Sequence, residues 1–324
     1  MVNDCLGLVG VVAIGRNEGE RLRACLASVV HRVAHVVYVD SGSTDGSVAM
    51  AQTMGVHVVN LDMRVPFTAA RARNEGWRAL LQVAPGLKFV QFVDGDCVVA
   101  DGWLDKGLFF LDQNPVYAVA CGRRREKFPD HSVYNRLCDL EWNTPVGDAK
   151  ACGGDALVRV SALQQVGGYR DDLIAGEEPE LCVRLRQAGW RIRRLDAEMT
   201  LHDAAMTRFG QWWRRSKRAG HAFAQGAWLH GATPERHWVK ETVSALGWGA
   251  VLPVLVLLLA CLVHPAWLLL GCAYPLQVWR LRRLPGGLQR ATFLVLGKFP
   301  EAMGALQFAW GRLWRTHSRL IEYK

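Results

Sequence analysis

The sequence predicts an α/β domain, a mostly parallel sheet between helices, followed by a helical region associated with a membrane. Three observations predict it. From Gly7 to about Gly122, apolar strand-like runs alternate with stretches of helical spacing. Acidic residues stand directly at the ends of two of those runs, Asp40 and Asp94. Finally, the 38 residues from Thr242 to Trp279 contain no Asp, Glu, Lys or Arg.

The elements follow in order. Gly7 to Ile14 is a continuous apolar run, Glu18 to Val30 places Leu22, Cys25, Leu26 and Val29 at helical spacing, and His35 to Val39 is β-branched. Ser47 to Met54 then reads as helix, His57 to Leu61 as strand, Ala69 to Gln82 as helix and Lys88 to Val93 as strand. Strands separated by helices imply parallel pairing with right-handed crossovers, and such sheets bind ligands beyond the carboxyl ends of their strands. Tyr117 to Gly122 is a further strand, Glu180 to Ala188 a helix closed by Gly189, Arg191 to Leu195 a short strand. Gln211 to Ala227 has helical spacing and carries Arg214, Arg215, Lys217 and Arg218, either a solvated face or a binding surface.

Val243 to Val263 as a helix would span about 31 Å, close to a hydrocarbon core, whereas Ala266 to Trp279, beyond His264-Pro265, offers about 21 Å. Two tilted spans or a re-entrant pair both fit; a buried core hairpin is the bland alternative. Arg280, Arg282 and Arg283 follow at once, which places that side in the cytosol. Residues 288–324 mix Phe293, Phe308, Trp310 and Trp314 with Lys298, Arg312, Arg315 and Arg319, an interfacial amphipathic pattern. The expected division is 1–205 catalytic, 206–242 a basic helical linker, 243–279 a hydrophobic hairpin and 280–324 a basic amphipathic segment.

The net charge of +9 is concentrated late, nine basic residues against two acidic ones from Val243 onward. A nucleic-acid binder would carry its basic stripe on the body of the fold, so the charge points to a membrane surface and away from nucleic acid. Nine cysteines without CxxC or paired zinc spacing suit a reduced cytosolic setting.

The sharpest chemical signal is Asp94-Gly95-Asp96 after a hydrophobic strand. Residues i and i+2 share a face on an extended chain, so both carboxylates can converge on one hard cation, Mg²⁺ or Mn²⁺. Asp40-Ser41-Gly42-Ser43-Thr44-Asp45 is a polar turn into a helix, suited to phosphate or simply to capping. No Ser-His-Asp or Cys-His arrangement and no GxGxxG is present.

Together with Ile14-Gly15-Arg16-Asn17-Glu18, Ala72-Arg73-Asn74-Glu75-Gly76, Gly153-Gly154-Asp155, Val166-Gly167-Gly168-Tyr169 and Gly176-Glu177-Glu178-Pro179-Glu180-Leu181, these motifs resemble the family 2 glycosyltransferases with the GT-A fold over residues 8–205. The resemblance implies transfer of one sugar from a nucleotide-diphospho-sugar to a hydroxyl with inversion. It implies donor binding by Asn17, Glu18, Asp40, Arg73 and Asp94, and a metal on Asp96 and Asp94 with His202 as a further ligand. It implies a catalytic base in the Glu177-Glu178 pair, Glu178 by position with Glu177 left open.

Processive synthases of the family carry QxxRW and many spans; here Gln211-Trp212-Trp213-Arg214-Arg215 has Arg in place of the Trp. Single transfer at the cytoplasmic face of the inner membrane, to a lipid-linked or glycan acceptor, is therefore the expectation. A non-catalytic scaffold is the alternative. The alternative for Trp212 and Trp213 is interfacial anchoring beside the bilayer, and the segment from Phe128 to Lys150 is where selectivity should reside.

Overall fold

The computed structural model describes residues 5–314, in two units; residues 315–324, Arg315 and Arg319 among them, lie outside the described residues. The first unit comprises the chain up to Pro129, Glu141–Leu173 and Glu177–Ala204. Its opening half contains β1 (Val9–Gly15), α1 (Glu20–Ala27), β2 (His35–Asp40), α2 (Ser47–Thr53), β3 (His57–Asn60), α3 (Ala69–Val83) and β4 (Phe89–Asp94). β1 is flanked by β2 and β4, β3 lies outside β2, and all three pairings are parallel. Both faces of β1, β2 and β4 are covered, which is why they read as unbroken apolar runs, whereas the outer β3 is partly exposed. α3 begins where the Thr68 hydroxyl accepts the Arg71 amide at 3.1 Å.

Beyond β4 the chain forms β5 (Cys97–Val99), α4 (Trp103–Gln113), β6 (Tyr117–Glu126), α5 (Val133–Trp142), which belongs to the second unit as far as Leu140, then β7 (Gly147–Asp148), β8 (Ala156–Arg159), α6 (Val160–Val166), α7 (Glu177–Gln187) and β9 (Arg191–His202). The sheet order is β3-β2-β1-β4-β8-β6-β9-β5, with β7 on β9. β8 runs antiparallel to both β4 and β6, and β5 antiparallel to β9, so this half is mixed. Two strands are longer than their apolar stretches suggest: β6 continues through Arg123-Arg124-Arg125 to Glu126 and β9 to His202. Tyr38, Phe89, Phe92, Trp103 and Leu157 are fully buried between sheet and helices, and the Trp103 indole donates to Gln91 Oε1 at 2.8 Å, satisfying a buried amide.

The second unit, Asp130–Leu140, Ile174–Gly176 and the chain from Ala205, is helical. It holds α8 (Phe209–His230), α9 (Val239–Leu246), a π-helical turn (Gly247–Val251), α10 (Leu252–Leu262), a 3₁₀ stretch (Pro265–Cys272), α11 (Ala273–Leu281), α12 (Gly287–Leu296) and α13 (Lys298–Leu313). Val239–Leu262 runs as one helix of 24 residues, within which a stretch of 18 has mean hydropathy 2.4 and is little buried. The expected second apolar stretch is divided between the 3₁₀ segment and α11, because Pro265 and Pro275 lack the amides a single helix would need. Among the described residues, one helix is therefore long and apolar enough to cross a membrane.

α8 and α13 approach closely at glycines. A Cβ on Gly220 would stand 1.9 Å from the Glu301 carbonyl oxygen, and one on Gly304 equally close to that of Lys217. Trp212 is buried, edge-on to Phe293 with ring centres 5.0 Å apart, so it is a packing residue in place of the interfacial anchor considered above. The apolar residues of the C-terminal helices divide likewise: Phe308 is buried against His221, while Trp310 and Leu306 are exposed.

Candidate active site

Parallel register lines up the strand ends. Gly15 faces Asp40 across β1 and β2, and Ile14 faces Asp94 across β1 and β4, so the residues following these strands gather along one carboxyl edge. On the β2 side, Asn17, with φ 55°, accepts the Thr44 amide on Oδ1 at 2.7 Å, and its own amide donates to Ser43 Oγ at 2.9 Å. Asp40 accepts the Tyr38 hydroxyl at 2.9 Å and the amides of Gly42 and Ser43 at 2.9 and 2.8 Å. Burial, opposed by Ser43 and reinforced by Asp40, pushes the Tyr38 hydroxyl well above its usual range, so it remains a donor. Glu18 pairs with Arg21 at 2.7 Å. These residues build one shared turn.

At the end of β4, Asp94 receives Arg73 Nη2 on Oδ1 at 2.7 Å and Arg124 Nη2 on Oδ2 at 3.1 Å. Arg73 also gives Nη1 to Glu177 Oε1 at 2.7 Å. Burial works against a charged Arg73, yet Asp94 and Glu177 hold its guanidinium further into the charged form. The fully buried Asp155 supports the arrangement from behind, accepting the Asp94 amide at 2.9 Å and the Thr200 hydroxyl at 2.7 Å. Gly154 leaves room for this cluster: a Cβ there would lie 3.0 Å from Arg73 Nη2 and 3.1 Å from Asp94 Oδ2, so both would have to shift by a few tenths of an ångström.

Asp96 belongs to a separate cluster. Its Oδ2 lies 3.3 Å from His202 Nε2, brought across by the β5–β9 pairing that sets Cys97 opposite His202. The His202 Nδ1 is buried without a hydrogen-bond partner, 3.7 Å from Glu126 Oε2. Burial, and then the Arg124 charge, hold this imidazole below its ordinary pKa and hence neutral. Trp142 is wedged between the two groups, its ring 4.7 Å from that of His202 and 4.9 Å from the Arg124 guanidinium carbon. A neutral imidazole nitrogen facing a carboxylate oxygen is a donor set that fits a divalent cation. The carboxylates of Asp94 and Asp96, expected to converge on one ion, lie in different candidate groups, Asp94 with Cys97 and Asp155, Asp96 with Cys97 and His202.

The two glutamates that open α7 are also separated. Three acidic residues in its first turn and Arg184 and Arg186 in its last suit the helix dipole. Glu177 is engaged by Arg73, whereas Glu178 takes the Cys152 amide on Oε1 at 2.5 Å and lines a cavity of about 490 Å³. Arg124, Trp142, Asp148, Lys150, Cys152 and Asp155 line it too, so the segment between β6 and β8 forms much of its wall. Sequence reasoning assigned no role to Arg124, Glu126, Trp142 or Cys152. Only Asp155 carried a signal, as the last residue of Gly153-Gly154-Asp155.

Residues 11–163 match Glycosyl transferase family 2. The chain is 30% identical over 209 residues to the pre-mycofactocin glycosyltransferase of Mycobacterium tuberculosis, covering 60% of this chain and 42% of that protein. It therefore spans less than half the length of that relative. It is 25% identical over 281 residues to the succinoglycan biosynthesis protein ExoA of Rhizobium meliloti, covering 79% of this chain and 82% of that protein. Among solved structures, the mannosyltransferase PcManGT from Pyrobaculum calidifontis, in complex with GDP-Man and Mn²⁺, superposes with a TM-score of 0.66 at 18% identity, covering 94% of this chain and 88% of that one. That likeness gives the fold.

Proposed function

We propose, taking as premise that this chain is a family 2 glycosyltransferase with the GT-A fold, that it transfers a single sugar from a nucleotide-diphospho-sugar to an acceptor hydroxyl with inversion. The observation that carries this reading is the placement of Glu178. One oxygen is fixed by the Cys152 amide, and the residue lines a cavity that Arg124 and Asp155, the immediate neighbours of Asp94, also line. A carboxylate so held accepts the proton of an acceptor hydroxyl as that oxygen attacks the anomeric carbon, and the nucleoside diphosphate departs from the opposite side. Glu177, spent on Arg73, is the weaker candidate for the base.

Asn17, Glu18 and Asp40 shape the turn that receives the nucleobase, Asp94 faces the ribose, and Arg73 positions Asp94. Asp96 and His202 are the residues suited to holding Mg²⁺ or Mn²⁺, with Asp94 as a further ligand. Bound there, the ion offsets the charge that develops on the leaving diphosphate. PcManGT, of the same fold, is complexed with a nucleotide sugar and Mn²⁺, which supports this assignment.

The apolar helix Val239–Leu262 supports attachment to the inner membrane, and the basic residues Arg280, Arg282 and Arg283 that follow the apolar run support a cytoplasmic orientation. Attachment favours an acceptor kept at the bilayer, a lipid-linked saccharide or nascent envelope glycan; ExoA, a succinoglycan biosynthesis protein, supports the glycan class.

Titration calorimetry with UDP, GDP and their sugar conjugates, with and without Mn²⁺, tests the reading. One nucleotide should bind in a metal-dependent way and Asp96→Ala should lose that dependence. Glu178→Gln should bind donor normally and transfer about 10²- to 10⁴-fold more slowly. Wild-type transfer by Glu178→Gln would remove it from the mechanism, and no binding across the panel would remove the transferase reading.

A further inference from the structure

We propose that Cys152, Glu178 and Cys182 form a second metal site that captures thiophilic divalent ions of the Zn²⁺ class, and that an ion held there silences transfer. One ligand atom from each of the three residues lies within 4.8 Å of the others. The two sulfurs are 3.6 Å apart, and Cys182 Sγ is 3.4 Å from Glu178 Oε1. Glu178 and Cys182 stand four residues apart on α7, so their side chains stack one turn apart on a single face. Cys152 reaches them from the turn that precedes Gly153, tied by its amide to the same Glu178 oxygen. All three residues are buried.

The donor chemistry separates this site from the one at Asp96. Two sulfurs and one carboxylate favour Zn²⁺, Cd²⁺ or Co²⁺ over Mg²⁺, and three protein ligands leave a fourth position toward the cavity that Cys152 and Glu178 line. At Asp96 the neighbouring thiol, Cys97, already receives Arg124 Nη2 at 3.3 Å, and a guanidinium so close opposes a second cation on that sulfur. Spacing along the chain gives no hint of the site, because its ligands come from a loop and a helix 26 residues apart at the nearest.

Capture breaks two S–H bonds and forms two metal–sulfur bonds; both protons leave to solvent and no oxidation state changes. Silencing rests on the reading of Glu178 as the base, since a carboxylate bound to a metal no longer takes up a proton.

Co²⁺ added to the full-length protein, kept reduced with a phosphine, tests the site. One equivalent should produce sulfur-to-cobalt charge-transfer absorption, bleached by Zn²⁺, with two protons released per ion in weak buffer. Cys152→Ala and Cys182→Ala should each abolish the band while Cys97→Ala keeps it; circular dichroism establishes that each variant is folded. The absence of the band in the wild-type protein overturns the site without recourse to any variant, and so does loss of the band in Cys97→Ala alone. Zn²⁺ should inhibit transfer at saturating Mn²⁺, and Cys152→Ala should resist it at least about tenfold better. A full band with unimpaired transfer would overturn the silencing and count against Glu178 as base. A missing band with inactive Glu178→Gln would overturn the metal site alone.

Discussion

Arg73 holds two carboxylates at once, Asp94 and Glu177, each at 2.7 Å, and is itself buried. A fork of guanidinium nitrogens can bridge them; a single ammonium cannot. Replacing it with Met leaves Glu177 without its partner in a poorly solvated position and Asp94 with Arg124 alone, and should cost about 3 kcal/mol in chemical denaturation, with Arg73→Lys recovering little of it. An Arg73→Met protein of wild-type stability would show that the bridge contributes nothing. The residues of this cluster were legible to different degrees for a physical reason. Asp94 closes an apolar run and Arg73 sits in a quoted motif, so each stood out. Arg124 lies in Arg123-Arg124-Arg125, three identical letters whose roles depend on the strand's alternation and on the register shifts that interrupt it on either side of Arg123: Arg124 turns to Asp94 while Arg125 pairs with Glu198 in the open. Nothing in the letters says where that strand begins its alternation. Asn74, quoted as part of a motif, proves to be a clamp, its amide donating to the Tyr169 carbonyl and its Oδ1 accepting the Tyr169 amide.

The parallel half of the sheet was readable because helices cover both its faces and leave unbroken apolar strands. The mixed half was less so: β8 has four residues, and β9 carries Arg193, Arg194, Asp196 and Glu198 through a strand of twelve, which breaks any apolar run. Among the helices, α8 and α13 depend on glycine at their crossing. Gly304→Ala would place a methyl where the Lys217 carbonyl stands, and such overpacking should cost about 1–3 kcal/mol, read as a lower unfolding temperature in detergent; an unchanged value would mean the helices part freely. His221, fully buried on α8, gives a pH dependence of definite sign. Burial, and then Lys217 one turn earlier, depress its pKa to about 4 from an ordinary 6.5. The unfolded chain thus takes up a proton that the folded one refuses between these values, so stability is full above about 6.5 and falls toward pH 4, by about 3 kcal/mol from this residue. His221→Gln should flatten that part of the acid limb relative to wild type.

For the molecule as a whole, attachment to a bilayer should depend on a few exposed side chains. Leu255 and Leu258 are about half exposed on the helix Val239–Leu262, so arginines there need not disturb packing. Each should cost about 2.5–3.5 kcal/mol of insertion, and Leu255→Arg with Leu258→Arg should move the protein into the soluble fraction of a lysate while donor binding persists. Retention in the membrane fraction would disprove this helix as the anchor. Cutting the chain at residue 242 is a poorer test, because α8 would lose α13, the partner against which Gly220 and His221 pack. The change of strand direction at β8 has a consequence for how such a molecule diversifies. On one side of it, β1 to β4 are locked by parallel register and by crossover helices, and a residue inserted there would shift Asp40 or Asp94 out of line. On the other side, the loop between Trp142 and Gly147, which precedes β7 and the Gly154-Asp155 support of Asp94, can lengthen or shorten without moving a single one of those pairings. Under the proposed reading, that flank can therefore vary in what it admits while the edge that carries Asp40 and Asp94 is kept in line by the other.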